Sequence, residues 1–149
     1  MNVFLVSLGE YLKTAPSTPP PVGILSLAAW ARAKIKGLRI TLLDQRLERI
    51  NHHEVARRII QARPDVVGIS YMTSADTFVP GITKAVRDAL PGCTILLGGS
   101  HPAAVQAAAI EGTQADALVA GEGEIAFEMI LRAIQEGETF EHVPGLYRR

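Results

Sequence analysis

Glycines, hydroxyls and one imidazole crowd into three short stretches of this chain: SYMTSAD (70–76), GGSHP (98–102) and GEGE (121–124). Ser70, Thr73 and Ser74 can donate hydrogen bonds to a bound molecule, and a Ser/Thr cluster ahead of a helix can equally cap it. Gly98 and Gly99 let the backbone turn sharply and let a bulky group approach it; Ser100 and His101 follow directly. For His101, contact with a ligand and a hydrogen bond to neighbouring backbone are both open. Gly121, Glu122, Gly123 and Glu124 resemble half of a dinucleotide fingerprint. The third glycine is missing, however, and two carboxylates stand where a pyrophosphate needs none, so the stretch is a poor phosphate cradle.

Other chemistries find little support. No phosphate-binding loop of the Walker type is present. Acceptance of a phosphoryl group on aspartate would need an acid at the end of the third apolar run, where Tyr71 stands, with Asp76 already in the following helix. Cys93 is the only cysteine, so this chain can form no intrachain disulfide and no site built from several thiolates. It precedes a strand at the edge away from the three stretches above, which suits a small buried or turn residue better than a nucleophile. The adjacent His52 and His53 cannot converge on one ion from a helix start and read as solvated capping residues.

The elements that must position these residues alternate regularly. Five strand-length apolar runs, VFLVSL (3–8), RITLLD (39–44), DVVGISY (65–71), TILLGG (94–99) and ALVAG (117–121), mostly lack polar alternation, as strands covered on both faces do. Segments with helical spacing lie between and after them. Residues 23–36 place Leu27, Trp30, Ala31 and Ile35 on one stripe, and 53–62 do so with Val55, Ile59 and Ile60. Residues 74–90 carry Pro80 and Gly81 early, which predicts a distorted start. Residues 102–112 open on a proline and close on Gly112, and 123–137 repeat the pattern with Ile125, Met129 and Ala133 before Gly137.

This β-α alternation predicts an α/β fold: a flavodoxin-like, Rossmann-like, doubly wound sheet of five parallel strands with helices on both faces. In such a sheet ligands sit outside the carboxyl ends of the strands, and the three stretches, with the proline-rich loop SLGEYLKTAPSTPPPVG (7–23), all fall on that edge. A length of 149 residues suits one domain, expected over 1–138. The formal charge is zero, with 15 basic and 15 acidic residues and no basic block, which argues against nucleic acid. No apolar run approaches membrane-spanning length, and the N-terminus reads as a core strand rather than a signal peptide, so a soluble cytoplasmic protein is expected.

Taken in order, TPPPVGILSLAAWARAKIKGLRITLLD, DVVGISYMTSAD, ILLGGSHP and DALVAGEGEIAFEMIL resemble the cobalamin-binding domain at the N-terminus of cobalamin-dependent radical S-adenosylmethionine enzymes. The resemblance covers nearly the whole chain, and its specificity lies in the ordered combination. Classical cobalamin domains carry Asp-x-His-x-x-Gly in the first loop, the histidine serving as lower cobalt ligand. Here Gly23 matches the glycine, while Thr18 and Pro20 stand at the other two places and neither can ligate cobalt. Ser70-x-Met72 matches the Ser-x-Leu that lines the slot for the nucleotide tail, and Gly98-Gly99 match the paired glycines beside it.

The resemblance implies a base-off cofactor whose dimethylbenzimidazole tail inserts beside the sheet, with no histidine of the protein on cobalt and no metal ligand from this chain. By position, Gly98 and Gly99 make room for the tail, Ser70 with Thr73 or Ser74 hydrogen-bonds it, and His101 lies beside it. Pro21, Val22 and Met72 present apolar surface to the corrin, and Gly121, Glu122 and Gly123 meet the nucleotide end through backbone groups. The family's S-adenosylmethionine and four-iron four-sulfur cluster need a three-cysteine motif absent from these residues, so they belong to a further domain, in cis or in trans. Residues 139–149, with a turn at Pro144-Gly145 and then the extended LYRR, read as the start of a connection toward it. By itself the chain is expected to carry the cofactor rather than catalyse, in a methyltransferase or related radical enzyme. The alternative is a flavodoxin-like module that binds a flavin, a nucleotide or a protein partner.

Overall fold

The computed structural model describes residues 1–9 and 19–148. Most of the first loop, including Thr18, lies outside the described residues, as does Arg149. Six strands form one sheet: β1 (Asn2–Leu8), β2 (Arg39–Asp44), β3 (Val66–Tyr71), β4 (Thr94–Gly98), β5 (Ala117–Val119) and β6 (Leu146–Arg148), in the order β2-β1-β3-β4-β5-β6. The first five pair in parallel, as expected, and strand order reverses between β1 and β3. The expected count of five strands is corrected to six: β6 runs antiparallel to β5, pairing Leu118 with Tyr147 and Val119 with Leu146. Covering the far edge of β5 satisfies a ladder that would otherwise be an open edge. Phe140 and Val143 pack into the core just before it.

Six helices connect the strands: α1 (Val22–Lys34), α2 (Gln45–Glu48), α3 (His52–Ala62), α4 (Val79–Ala89), α5 (Ser100–Val105) and α6 (Gly123–Glu136). Tight 3-10 turns occupy Thr73–Phe78 and Gln106–Ile110. The expected distortion before Ile82 is the first of these, after which Pro80 sits in the first turn of α4, where its missing N–H costs nothing. α6 ends at Gly137 in the left-handed conformation, its N–H reaching the carbonyls of Ala133 and Ile134.

Two apolar layers follow. On one face of the sheet α1 and α6 cover Val3, Leu5, Val66, Leu96 and Ala117; on the other α3 and α4 cover Phe4, Val6, Leu8, Val67, Ile69, Tyr71, Ile95, Leu97 and Leu118. The helix stripes read from spacing need correction. α1 buries Ile24, Ala28, Ala31 and its cap Ile35, whereas Leu27 is half-buried and Trp30 is exposed. α6 buries Ala126, Phe127, Ile130 and Leu131 and leaves Ile125 at 64% and Met129 at 40% exposure. In α6 apolar residues stand on both sides of the correct stripe, so the sequence offers two candidate faces and packing selects the one carrying Phe127. The α3 stripe of Val55 and Ile59 is buried, with Ile60 packed against it.

α1 and α6 run side by side, joined at one-turn intervals. Ser26 Oγ donates to Glu124 Oε1 (2.5 Å), Trp30 Nε1 to Glu128 Oε2 (2.8 Å), and Arg132 Nη2 to the Lys34 carbonyl (2.8 Å). The Trp30 N–H and Arg132 hold the Glu128 carboxyl below its usual range. Residues three or four apart share a helix face, so these links fix the register of the two helices that roof one side of the sheet. At the opposite, amino-terminal edge, Cys93 is buried, and burial pushes its thiol up to about 11. Among the described residues no helix is long and apolar enough to cross a membrane.

Candidate functional site

Side chains alternate across a strand, and on the α1/α6 face that alternation tapers toward the carboxyl edge. β3 presents Val66, Gly68 and Ser70, and β4 presents Thr94, Leu96 and Gly98; the register places Leu5 beside Gly68 beside Leu96, and Ser7 beside Ser70 beside Gly98. The row nearest the edge therefore carries only small side chains, and in the next Leu5 and Leu96 flank a bare Gly68. A slot of about 220 Å³ results, floored by Leu5, Gly68, Ser70, Leu96, Gly98 and Val119 and roofed by Ile24, Leu27 and Phe127 from α1 and α6. It opens at the carboxyl edge, spanning the point where strand order reverses, where doubly wound sheets bind ligands.

The two glycines of GGSHP have different reasons to be glycine. Gly98 has no positive φ, and an added Cβ would meet only the Val119 carbonyl oxygen, at 3.8 Å, so its bareness leaves space in the slot. Gly99 has φ 103° and ψ −176°, a region open essentially to glycine alone, and an added Cβ would lie 2.7 Å from Tyr71 N and O. It is required by the chain's own close approach to the end of β3. At Gly68 an added Cβ would strike Leu5 Cδ2 at 2.7 Å.

The Ser70 hydroxyl makes no hydrogen bond to any described residue, unlike Ser26, whose hydroxyl is committed to Glu124. No side chain caps α1 or α6, so neither helix start at the slot mouth spends its first-turn N–H groups on its own side chains. None of the described lining residues is cationic, and Glu122 and Glu124 stand at the mouth. Among the described residues a terminal phosphate dianion, as on a flavin mononucleotide, would meet two carboxylates and no countercharge.

Of the expected site residues, Gly23, Ser70, Gly98, Gly99, Gly121, Glu122 and Gly123 are brought together around the slot. Pro21, Val22, Met72, Thr73, Ser74 and Ser100 lie outside it at the same edge; Val22 and Met72 are exposed. His101 lies elsewhere. Its Nδ1 is 3.0 Å from Thr73 Oγ1 and its Nε2 is 3.2 Å from Asp76 Oδ1, and its ring tilts over that of Tyr71, which belongs to the α3/α4 layer. Both ring nitrogens thus face partners within the protein, and the histidine ties the turn after β3 to the start of α5. Tyr71 is 1% exposed, its hydroxyl has no hydrogen-bond partner among the described residues, and burial together with nearby Asp76 pushes its ionisation up. His52 stacks on Phe78 at 4.5 Å, on the α3/α4 side.

Sequence reasoning missed Leu5, Ile24, Leu27, Gly68, Leu96, Val119 and Phe127 as slot walls. One signal was readable: Gly68 interrupts an apolar strand, where an isolated glycine marks a close backbone approach.

A family model described as the B12 binding domain matches residues 11–131. The chain is 28% identical over 131 residues to a protein of Pyrococcus horikoshii named as an uncharacterized methyltransferase, PH0819, covering 87% of this chain and 28% of that protein. It is 29% identical over 134 residues to an anaerobic magnesium-protoporphyrin IX monomethyl ester cyclase of Synechocystis, covering 87% of this chain and 26% of that one. Its fold superposes on the radical S-adenosylmethionine methyltransferase TsrM from Kitasatospora setae, solved with cobalamin and a [4Fe-4S] cluster bound. That match has a TM-score of 0.82 at 20% identity and covers 99% of this chain and 27% of that one. The chain thus spans little more than a quarter of the length of each of these proteins.

Proposed function

The chain belongs to the B12-binding domain family, and from that premise we propose that it holds cobalamin base-off, as the carrier domain of a radical S-adenosylmethionine enzyme. The observation that carries this reading is the bare stripe of Gly68, Ser70 and Gly98 beneath α1 and α6. It leaves a slot in the otherwise packed α1/α6 layer, at the edge where such folds take ligands.

When bound, the cofactor supplies a cobalt centre able to carry a methyl group or exchange single electrons. The residues of this chain bind and orient. The slot would take the nucleotide tail between sheet and helices. Ser70, whose hydroxyl has no partner among the described residues, would donate to the tail's base. Pro21, Val22 and Met72 turn apolar surface toward the corrin, and the uncapped start of α6 at Gly121 to Gly123 offers backbone N–H groups to the nucleotide end. The cofactor would be held without a histidine of this chain on its metal: Pro20 stands at the place of the classical ligand, His101 is held by Thr73 and Asp76, and His52 is stacked on Phe78.

The carrier unit would be residues 1–138 with 139–148 docked on it through Phe140, Val143 and β6, and 139–149 would begin the path to a radical S-adenosylmethionine domain that supplies the iron–sulfur cluster and the chemistry. Within that path Leu146–Arg148 first pairs with β5. A methyltransferase or related radical reaction fits the relatives' names and the fraction of their length spanned here.

The test is to mix the purified chain with hydroxocobalamin, desalt it, and record the visible spectrum at neutral pH. Near-equimolar retained corrin with a base-off spectrum, unchanged in His101→Ala, is expected, with no comparable retention of flavin mononucleotide. A nitrogen lower ligand lost in His101→Ala would overturn the ligand assignment. Retention of flavin but not corrin would overturn the function.

A further inference from the structure

Resting on the reading above, we propose that the slot selects the base of the corrinoid's tail, preferring a benzimidazole to a purine. An engineered cavity of about 150 Å³ accommodates benzene, so a slot of 220 Å³ is on the scale of a bicyclic ring. What distinguishes one bicyclic ring from another is the wall it meets. The deeper row of the floor is Leu5, Gly68 and Leu96, and the roof is Ile24, Leu27 and Phe127. None of these side chains carries a hydrogen-bonding atom, and the strand N–H and C=O groups beneath them are committed to the sheet.

Among the described residues the one polar side chain lining the floor is Ser70, a row nearer the edge, with a single hydroxyl to offer. Glu122 and Glu124 stand at the start of α6, at the mouth, and one oxygen of Glu124 already accepts from Ser26.

A dimethylbenzimidazole whose nitrogen has left the metal needs one hydrogen bond and otherwise presents hydrocarbon. Ser70 meets the first need and the leucines with Phe127 meet the second. Adenine in the same position brings an exocyclic amine and further ring nitrogens into the hydrocarbon row, where they lose water and gain no partner. An unpaired buried polar group is the most effective device a site has against a near-isosteric ligand. One such group corresponds to a discrimination of about tenfold or more. Selection by base identity would let this chain draw cobalamin from a mixed corrinoid pool.

The experiment is equilibrium titration of the cofactor-free protein with three corrinoids, read by visible difference spectra and calorimetry. They are cobalamin, its adenine-based analogue pseudocobalamin, and cobinamide, which lacks the nucleotide. Cobalamin should bind about tenfold or more tightly than pseudocobalamin, and cobinamide should be weaker than cobalamin. Leu27→Gln, on the half-buried wall of α1 where an amide can be accommodated, should narrow the gap between the two bases to about threefold or less by giving the purine a partner. Equal affinity for cobalamin and pseudocobalamin overturns the inference and leaves the carrier reading standing. Cobinamide binding as tightly as cobalamin overturns it too, because the tail then contributes nothing. Failure of every corrinoid to bind overturns the carrier reading and the inference together.

Discussion

The two faces of a single strand differ more than any two helices of this protein do. On the α3/α4 face β3 contributes Val67, Ile69 and Tyr71, growing bulkier toward the carboxyl edge; on the α1/α6 face it contributes Val66 and then only the small Gly68 and Ser70. β4 repeats the contrast, with Ile95 and Leu97 against Leu96 and Gly98. One face is filled to its rim and closed by the Thr73–His101–Asp76 tie, the other is left open as a slot. Filling one face holds the strand ends rigid, and leaving the other bare lets a ligand lie directly on backbone. The cost of an open pocket in a domain this size is offset by dense packing one side chain's width away.

Four measurements would break or sharpen that contrast. The largest effect is expected at Gly99, which belongs to the frame. Gly99→Ala adds the strain of a glycine-only conformation to a collision with Tyr71 backbone, and should lower stability by about 3 kcal/mol or more in chemical denaturation. A drop below about 1 kcal/mol would mean the strand ends are less rigid than the packing implies. Gly98, its neighbour, belongs to the slot. Gly98→Leu should keep a melting temperature within a few degrees of the parent and weaken cobalamin binding by about thirtyfold or more, equivalent to about 2 kcal/mol. Unchanged binding would place the cofactor elsewhere.

On the filled face, Tyr71→Phe removes a buried hydroxyl that has no hydrogen-bond partner among the described residues, so stability should hold or rise by up to about 1 kcal/mol. A clear loss would reveal a hydrogen bond made by that hydroxyl. The smallest effect concerns the outer surface of the same face. Arg57 and Arg58 lower the Glu54 carboxyl from its ordinary 4.5 to about 2. A carboxyl depressed in the folded state contributes stability that is present above about pH 4.5 and is lost as pH falls through about 2. Glu54→Gln should therefore flatten the stability profile slightly between those values and leave cobalamin binding alone. A change in binding would show that the two faces are coupled through the sheet.

Much of the frame was legible from residue order. The five parallel strands, the distorted start of α4 and the stop at Gly137 follow from local rules, because strand runs, prolines and glycines act over a few residues. The edge carrying the ligand loops followed from topology alone. The stripe on α6 was misread because Ile125 and Met129 have the right spacing on the wrong side of Phe127, and spacing cannot say which of two apolar arcs meets the sheet. His101 was legible as a residue at the ligand edge and not as a tie to Thr73 and Asp76, since those partners lie 28 and 25 positions away in sequence.

The sequence by itself determined the alternation of strands and helices, the edge where a ligand would lie and the glycines that permit close approach. Each of these depends on interactions between neighbours along the chain. Only the tertiary structure decided which glycine serves the slot and which serves the frame, because that turns on what lies across from each: open space and a distant carbonyl beside Gly98, the backbone of Tyr71 beside Gly99. It also decided that Leu5, Leu27, Leu96 and Phe127, from four separate elements, line one slot. A hydrophobic residue carries no mark of which cavity it will line, since burial rewards any apolar contact alike and only the packed fold makes one contact rather than another.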